Sequence, residues 1–448
     1  MSSYTSRIDT ALAYLAGGDS VRSESLFRAV LAEAPDYAAA WHGLACVARH
    51  TGQPRLAIAS VAHALGLTSR DDEKAQFHLT LAAALDEAGH LKEALAACQI
   101  TILLEPRDFR AKTFKSELLY RAGRPEEASQ LFREAVALAS DPIPLLLRQG
   151  TFLMEQRRFA DAIRVFTDLV RHCPDNAQAL ANLGAACFEH GEMKEAQTSL
   201  HKALSLGAPS AATLSNYGLV CQALGEFALA LSAFDQALAL QPDDPVLRVN
   251  RATLLTEIGR QREAETVFRA VMQESGAVSD KARFNLSMLE LARGDYVQGW
   301  ANFEARGVVL GLSSALPLWD GSATETPVRI EAEQGLGDMI QFLRFLPQAA
   351  ARAPLVLALP DDVIALLAFM PALKPHLASG QVRVEGEAAL SCSLLSLPHR
   401  LGITSRSCSL SRLRDRDPTR SYRDLPRRQG DLPFRYETFS FTHADRAS

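Results

Sequence analysis

Four asparagines stand at steps of 34, 34 and 35 residues: Asn182, Asn216, Asn250 and Asn285. A carboxamide carries both a donor and an acceptor, so a row at one pitch can match the N–H and C=O groups of an extended peptide without reading its side chains. The same row can instead cap or cross-link neighbouring helices. A second group with chemical potential lies further on, where the apolar stretch PVRIEAEQ runs into Gly335-Leu336-Gly337-Asp338. With Gln334 ahead of it, this Gly-rich turn between a strand and a helix leaves backbone N–H groups open and has the makings of an anion or ligand loop. Asp338 there also suits the N-cap of the helix that follows, which would leave Glu333 and Gln334 as strand-end residues. His399 in SLPHRLG reads as a helix-surface residue. Cys46, Cys98, Cys173, Cys187, Cys221, Cys392 and Cys408 form no CxxC pair, so neither a disulfide framework, a metal site nor a cofactor site is expected. Cys187 and Cys221 share one repeat position and read as packing residues.

The elements that must carry the asparagines announce themselves by period. Ala128, Ala162, Ala196, Ala230 and Ala264 recur every 34 residues, as do Phe132, Phe166, Leu200, Phe234 and Phe268. Ser116, Gly150, Gly184, Gly218 and Ala252 form a third series in the same phase, and Gly191, Gly225 and Gly259 a fourth. In residues 211–244 the apolar residues fall at helical spacing on both sides of Gly225, and Pro242 stops the second helix. Each unit is therefore a helical hairpin. Two helices come close only where a side chain is small, which places the Gly/Ala series at the crossing and the Phe series beside it. A small residue at position 8, Gly at 15, Ala at 20, an aromatic or Leu at 24 and Pro at 32 resemble the tetratricopeptide repeat (TPR). Units start near residues 4, 38, 75, 109, 143, 177, 211, 245 and 280, and the fifth carries Arg157 where Gly is usual. The fold class expected is mainly α: a TPR solenoid of about nine hairpins over residues 4–308. Its first helices would line a concave wall that binds protein or peptide segments. The asparagines occupy position 6 and resemble the asparagine ladder of O-GlcNAc transferases.

Composition narrows the function classes. The 448 residues are 48% hydrophobic and 22% charged, which is compatible with a core and excludes wholesale disorder. A net charge of −5 disfavours nucleic acid as a partner. No leader and no run of roughly 18 apolar residues is visible, so no membrane segment and a cytoplasmic location are expected.

Residues 309–327 are rich in Gly, Ser and Pro without helical period and read as a linker. Beyond them strands and helices alternate, with PVRIEAEQ, LVLALP and QVRVEG as strands and Met339 to about Arg352 and DDVIALLAFM as helices. This predicts a parallel, Rossmann-like half-domain over 328–403. The segments FNLSMLELARGDYVQGWANFEARG, LPLWDGS, EAEQGLGDMIQFLRFLPQAAARA and CSLLSLPHRLGI resemble bacterial TPR proteins that run into a glycosyltransferase-like domain, with a heptosyltransferase-like Gly-Leu-Gly-Asp loop. That resemblance implies Asp338 as the base that deprotonates an acceptor hydroxyl. Such enzymes hold a nucleotide-sugar donor on a second Rossmann-like domain, which does not follow Gly402 here. From 404 to 448 the sequence turns to Ser, Pro and ten Arg without Lys, as a shifted reading frame would produce; a disordered tail or a basic arm are the competing readings. The expected function is a TPR scaffold for peptide or protein segments fused to a truncated, inactive glycosyltransferase-like domain, with sugar transfer as the alternative.

Overall fold

The computed structural model describes residues 2–404 except 208, 275 and 334. Apart from Thr404, the expected tail lies outside the described residues, as does Gln334. The chain forms two compact units that meet in sequence between Ala208 and Pro209.

The first unit contains twelve helices paired as six hairpins. They are α1 (Ser2–Ala16) with α2 (Ser20–Glu33), α3 (Ala38–His50) with α4 (Pro54–Leu67), and α5 (Asp71–Glu87) with α6 (Leu91–Leu104). Then come α7 (Phe109–Arg121) with α8 (Pro125–Leu138), α9 (Ile143–Glu155) with α10 (Phe159–His172), and α11 (Ala177–His190) with α12 (Met193–Ser205). The second unit opens with three more: α13 (Ala211–Ala223) with α14 (Phe227–Leu240), α15 (Pro245–Glu257) with α16 (Gln261–Val271), and α17 (Ala277–Arg293) with α18 (Tyr296–Phe303).

Three local devices recur at fixed repeat positions. Asp108, Asn176, Ser210 and Asp244 cap the first helix of their repeats, each side chain accepting from a backbone N–H of the first turn. Position 15 turns the chain in every hairpin with positive φ: Gly18, Gly52, Gly89, Gly123, Arg157, Gly191, Gly225, Gly259 and Gly294. Arg157, at φ 55°, holds a conformation that only glycine adopts without strain. At the crossing, a Cβ added to Gly218 would lie 2.8 Å from the Phe234 ring, and one added to Gly184 would lie 2.5 Å from Leu200. The small series therefore sits directly against the large one. Phe166, Leu200, Phe234 and Phe268 are fully buried.

After a short helix α19 (Arg306–Val309) the second unit continues into an α/β module. Its strands are β1 (Val328–Glu331), β2 (Leu355–Ala358), β3 (Val382–Arg383) and β4 (Leu390–Ser393), all parallel in the order β3-β2-β1-β4. The parallel sheet agrees with the strand–helix alternation, but its elements differ in detail from the expectation: DDVIALLAFM is a helix over Asp361–Leu366 with a 3-10 turn at Leu367–Phe369, and QVRVEG pairs only at Val382–Arg383. The helix expected from Met339 to Arg352 is divided into α20 (Leu336–Phe342), a 3-10 turn at Leu343–Phe345 and α21 (Leu346–Ala350), with Pro347 at the start of the last piece. The segment LSCS, not expected as a strand, is β4.

Val328, Ile330, Leu355, Leu357, Val382 and Cys392 form the core face with Phe342, Phe345 and Leu346, while Arg329 on the opposite face is exposed. Residues 310–327 form no helix or strand but are anchored. Trp319 is 1% exposed, and its backbone N–H donates to the Ser391 carbonyl at 2.8 Å while the Ser391 N–H donates to Pro317 at 2.9 Å. The linker thus covers the β4 edge, and the opposite edge strand is only two residues long.

Phe234→Ala should cost roughly 3 to 5 kcal/mol and Gly218→Phe about 1 to 3 kcal/mol or more, read as falls in the urea midpoint. Arg157→Gly should move the midpoint the other way by up to about 1 kcal/mol, because it relieves the left-handed strain. An unchanged or lowered Arg157→Gly midpoint would count against that strain.

Candidate functional site

Asn182 lies on α11 in the first unit and is half-buried. Asn216, Asn250 and Asn285 lie on α13, α15 and α17 in the second unit, at 3%, 1% and 3% exposure. Repeat geometry explains what these positions reach. Asn285 Nδ2 donates to Thr253 Oγ1 at 3.0 Å, joining position 6 of one first helix to position 9 of the preceding one. In the first unit Arg148 donates to Glu117 at 2.9 Å through the same two positions. Thr80, also at position 6, meets His42 Nε2 at 2.8 Å. The cross-linking reading of the asparagine row is thus realised at Asn285. Asn250 has the apolar Leu219 at the corresponding place, and both its amide atoms are buried without a partner among the described residues.

A second row joins position 12 of one first helix to position 13 of the next. Arg49 pairs with Glu87 at 2.7 Å, Asp86 with Arg121, and Gln222 Nε2 donates to Glu257 at 2.7 Å. These partners are 31 to 38 residues apart in sequence, and complementary types at that offset were the signal that could have found them. Burial acts on this wall. It raises the carboxyl pKa of Glu117, against the pull of Arg148, and that of Glu257, against its bond from Gln222. Burial, aided by the Arg49 charge, lowers His42 to about 4. Its ring stacks on Phe77 with centroids 4.6 Å apart.

At the end of β1, Gly335 occupies the N-cap of α20 with extended backbone, φ −75° and ψ 163°, and caps through no side chain. Asp338 is therefore the third residue of the helix and not its N-cap. It is half-buried, and burial raises its carboxyl pKa. Gly335, Leu336 and Gly337 are exposed, and a Cβ on either glycine would meet open space. His399 is half-buried on the short helix Leu397–Arg400. Among the described residues no three His, Cys, Asp or Glu side chains converge as metal ligands.

Glu333 is no mere strand-end residue. It pairs with Arg306 at 2.5 Å, the two side chains being 4% and 2% exposed. Arg306 also bonds Glu304 at 3.0 Å, and Glu304 in turn holds Arg400 at 3.0 Å. The ending GDY-x3-W-x2-FE-x-R thus supplies Glu304 and Arg306 to a charge cluster, buried at Arg306 and Glu333 and half-buried at Glu304 and Arg400, whose other members come from the α/β module.

Models of the tetratricopeptide repeat match residues 8–72, 79–142 and 147–211, and a second model of the same repeat matches residues 211–244. The chain belongs to the tetratricopeptide repeat family. Protein FlbA of Caulobacter vibrioides is 27% identical over 284 residues, covering 59% of this TPR chain and 48% of that protein. Protein adenylyltransferase Fic of Drosophila persimilis is 32% identical over 97 residues, which are 21% of this chain and 16% of that protein. The TPR chain thus spans about half, or less, of the length of these relatives. Among solved structures, a tetratricopeptide repeat protein from Parabacteroides merdae is 18% identical, with 56% of this chain and 98% of that chain covered and a TM-score of 0.40. The C-terminal part of a TPR repeat-containing protein from Cytophaga hutchinsonii is 13% identical, with 53% and 96% covered and a TM-score of 0.42. No helix among the described residues is long and apolar enough to cross a membrane.

The neutral His42 ties the second TPR hairpin to the third, which has a pH signature. Its folded pKa near 4 lies below the unfolded value near 6.5, so its contribution is complete above pH 6.5 and is lost as pH falls towards 4. Between pH 7.5 and 4.5 the parent should lose about 2 to 3 kcal/mol more than His42→Gln, measured by urea unfolding at each pH. Equal losses would show that protonating His42 costs the fold nothing.

Proposed function

We propose that this TPR protein is a scaffold that holds extended protein or peptide segments along the first helices of its hairpins. Asn182, Asn216, Asn250 and Asn285 are the residues assigned to the partner's backbone. The observation that carries the reading is the return of a carboxamide to position 6 of successive first helices, with Asn182 half-exposed and the Asn250 amide lacking an internal partner among the described residues. An amide without an internal partner loses little by turning to a ligand, whereas Asn285 must first leave Thr253. In this reading the α/β module transfers no sugar, and the exposed Gly335, Leu336 and Gly337 at the start of α20 serve as an anion or ligand loop.

Sugar transfer from a nucleotide-sugar donor remains the second reading, with Asp338 as the base. It is favoured by the burial that raises the Asp338 carboxyl towards the range where a base works.

Peptides selected from a displayed library against the full chain provide the probe. Changing all four asparagines to Ala should weaken their binding by about 0.5 to 1.5 kcal/mol per hydrogen bond lost, with helical content unchanged. Loss of helical content in step with binding would assign the row to cross-linking alone. Release of sugar from a nucleotide-sugar panel by the parent, abolished in Asp338→Asn, would replace the scaffold reading with the enzymatic one.

A further inference from the structure

In the sheet order β3-β2-β1-β4, the chain first builds outward on one side of β1 and then places β4 on the other. The strand order therefore reverses between β1 and β4, and open α/β sheets take their ligands in the crevice outside the carboxyl ends of the strands at such a point. Here Glu333 follows the end of β1, Ser393 ends β4, and Ser396 closes the 3-10 turn after it. The guanidinium of Arg306, carried by the segment after the last hairpin, meets all three. Nε donates to Glu333 Oε1 at 2.7 Å, and Nη2 donates to Ser396 Oγ at 2.8 Å and to Ser393 Oγ at 3.4 Å. Nη1 donates to the Phe303 carbonyl at 3.2 Å and to Glu304 Oε1 at 3.0 Å, and the cation lies 4.4 Å from the centre of the Phe303 ring. Every N–H of the planar fork has an acceptor, and one π face has a ring.

We propose that the crevice between β1 and β4 is a guanidinium site, filled in cis by Arg306, and that filling it fastens residues 328–403 to the last hairpin as a C-terminal cap. The lining has the chemistry for that cation and against an anion. Two carboxylates, two hydroxyls, a carbonyl and an aromatic face converge on it, so a phosphate entering the same space would meet Glu304 and Glu333. A lysine ammonium has three donors and no plane, and cannot reproduce the set. Without Arg306, Glu333 is left as a carboxylate at 4% exposure with its cation gone, which is the costly way to break a buried pair. This inference is independent of the peptide-scaffold reading.

Hydrogen exchange by mass spectrometry on the full chain tests it. Arg306→Ala should raise amide exchange in β1, β2 and β4 by about tenfold or more, while α3–α10 exchange as in the parent. Millimolar methylguanidinium should restore protection in Arg306→Ala, whereas methylammonium should not, and Arg306→Lys should resemble Arg306→Ala. If the Ala variant leaves the module too open to bind the small cation, Arg306→Met with Glu333→Met should still protect β1 and β4 better than Arg306→Met alone, because no unpaired charge remains. Exchange in Arg306→Ala within about twofold of the parent, rescue by methylammonium as good as by methylguanidinium, or additive effects in the Met pair would each overturn the proposal.

Discussion

The repeats depend on how near the two helices of a hairpin can approach at one level. Where position 8 is Gly, the facing ring or leucine of position 24 occupies the place a Cβ would take, so the small and large series are two halves of one contact. Ser116 solves the same crossing differently, its hydroxyl reaching across to donate to the Ala128 carbonyl of the facing helix at 2.9 Å. With the crossing set, position 15 must reverse the chain within one residue, which forces the left-handed conformation shared by eight glycines and Arg157. Within each unit the next hairpin stacks on the last, and its first helix comes within reach of the preceding one. Only then do the position 6-to-9 and 12-to-13 bonds become possible.

Buried carboxylates here meet a guanidinium that is itself exposed on the repeats, as Arg148 is at 60% beside Glu117, and itself buried at their end, as Arg306 is at 2% beside Glu333. On the repeat wall the partners come from neighbouring first helices, as in Glu117 with Arg148 and Gln222 with Glu257. At the end of the repeats they come from two kinds of structure: Glu304 and Arg306 from the helical side, Glu333 and Arg400 from the α/β side. The Trp300 indole packs edge-on against Phe342 with centroids 5.7 Å apart, adding an apolar contact across the same junction. The GDY-x3-W-x2-FE-x-R ending has its physical reason here, since its Trp, Phe, Glu and Arg all serve this junction.

Much of the fold was legible because it is periodic. A contact repeated every 34 residues leaves its mark in composition at each repeat, so the crossing and turn series could be read directly, and the parallel sheet followed from the strand–helix alternation. What escaped was either short or long-range. β4 is only four residues, Leu-Ser-Cys-Ser, too short for its alternation to stand apart from the Leu-rich stretch that follows. The helix after β1 breaks at Pro347, which is permitted inside a helical pattern only at the start of a new piece. The bonds of Arg306 to Glu333 and Ser396 span 27 and 90 residues and belong to no period. The asparagine row was legible as spacing, but spacing does not report burial. That Asn285 bonds Thr253 while Asn250 has Leu219 at the corresponding repeat position follows from position 9 of the preceding repeat, a residue chosen independently of the row.

A double-mutant cycle at the fifth hairpin reads the central constraint directly. Gly150 faces the fully buried Phe166 ring, as Gly184 faces Leu200 in the next repeat. Gly150→Ala alone pushes a methyl group into the ring, and Phe166→Ala alone leaves space unfilled, so each should lower the urea midpoint by about 1 kcal/mol or more. Combined, the smaller side chain should make room for the new methyl, and the pair should lose less than the sum of the singles by at least about 0.5 kcal/mol. Strictly additive losses would mean that the two positions do not share one contact, and the packing of the hairpin would have to be explained by something other than that crossing.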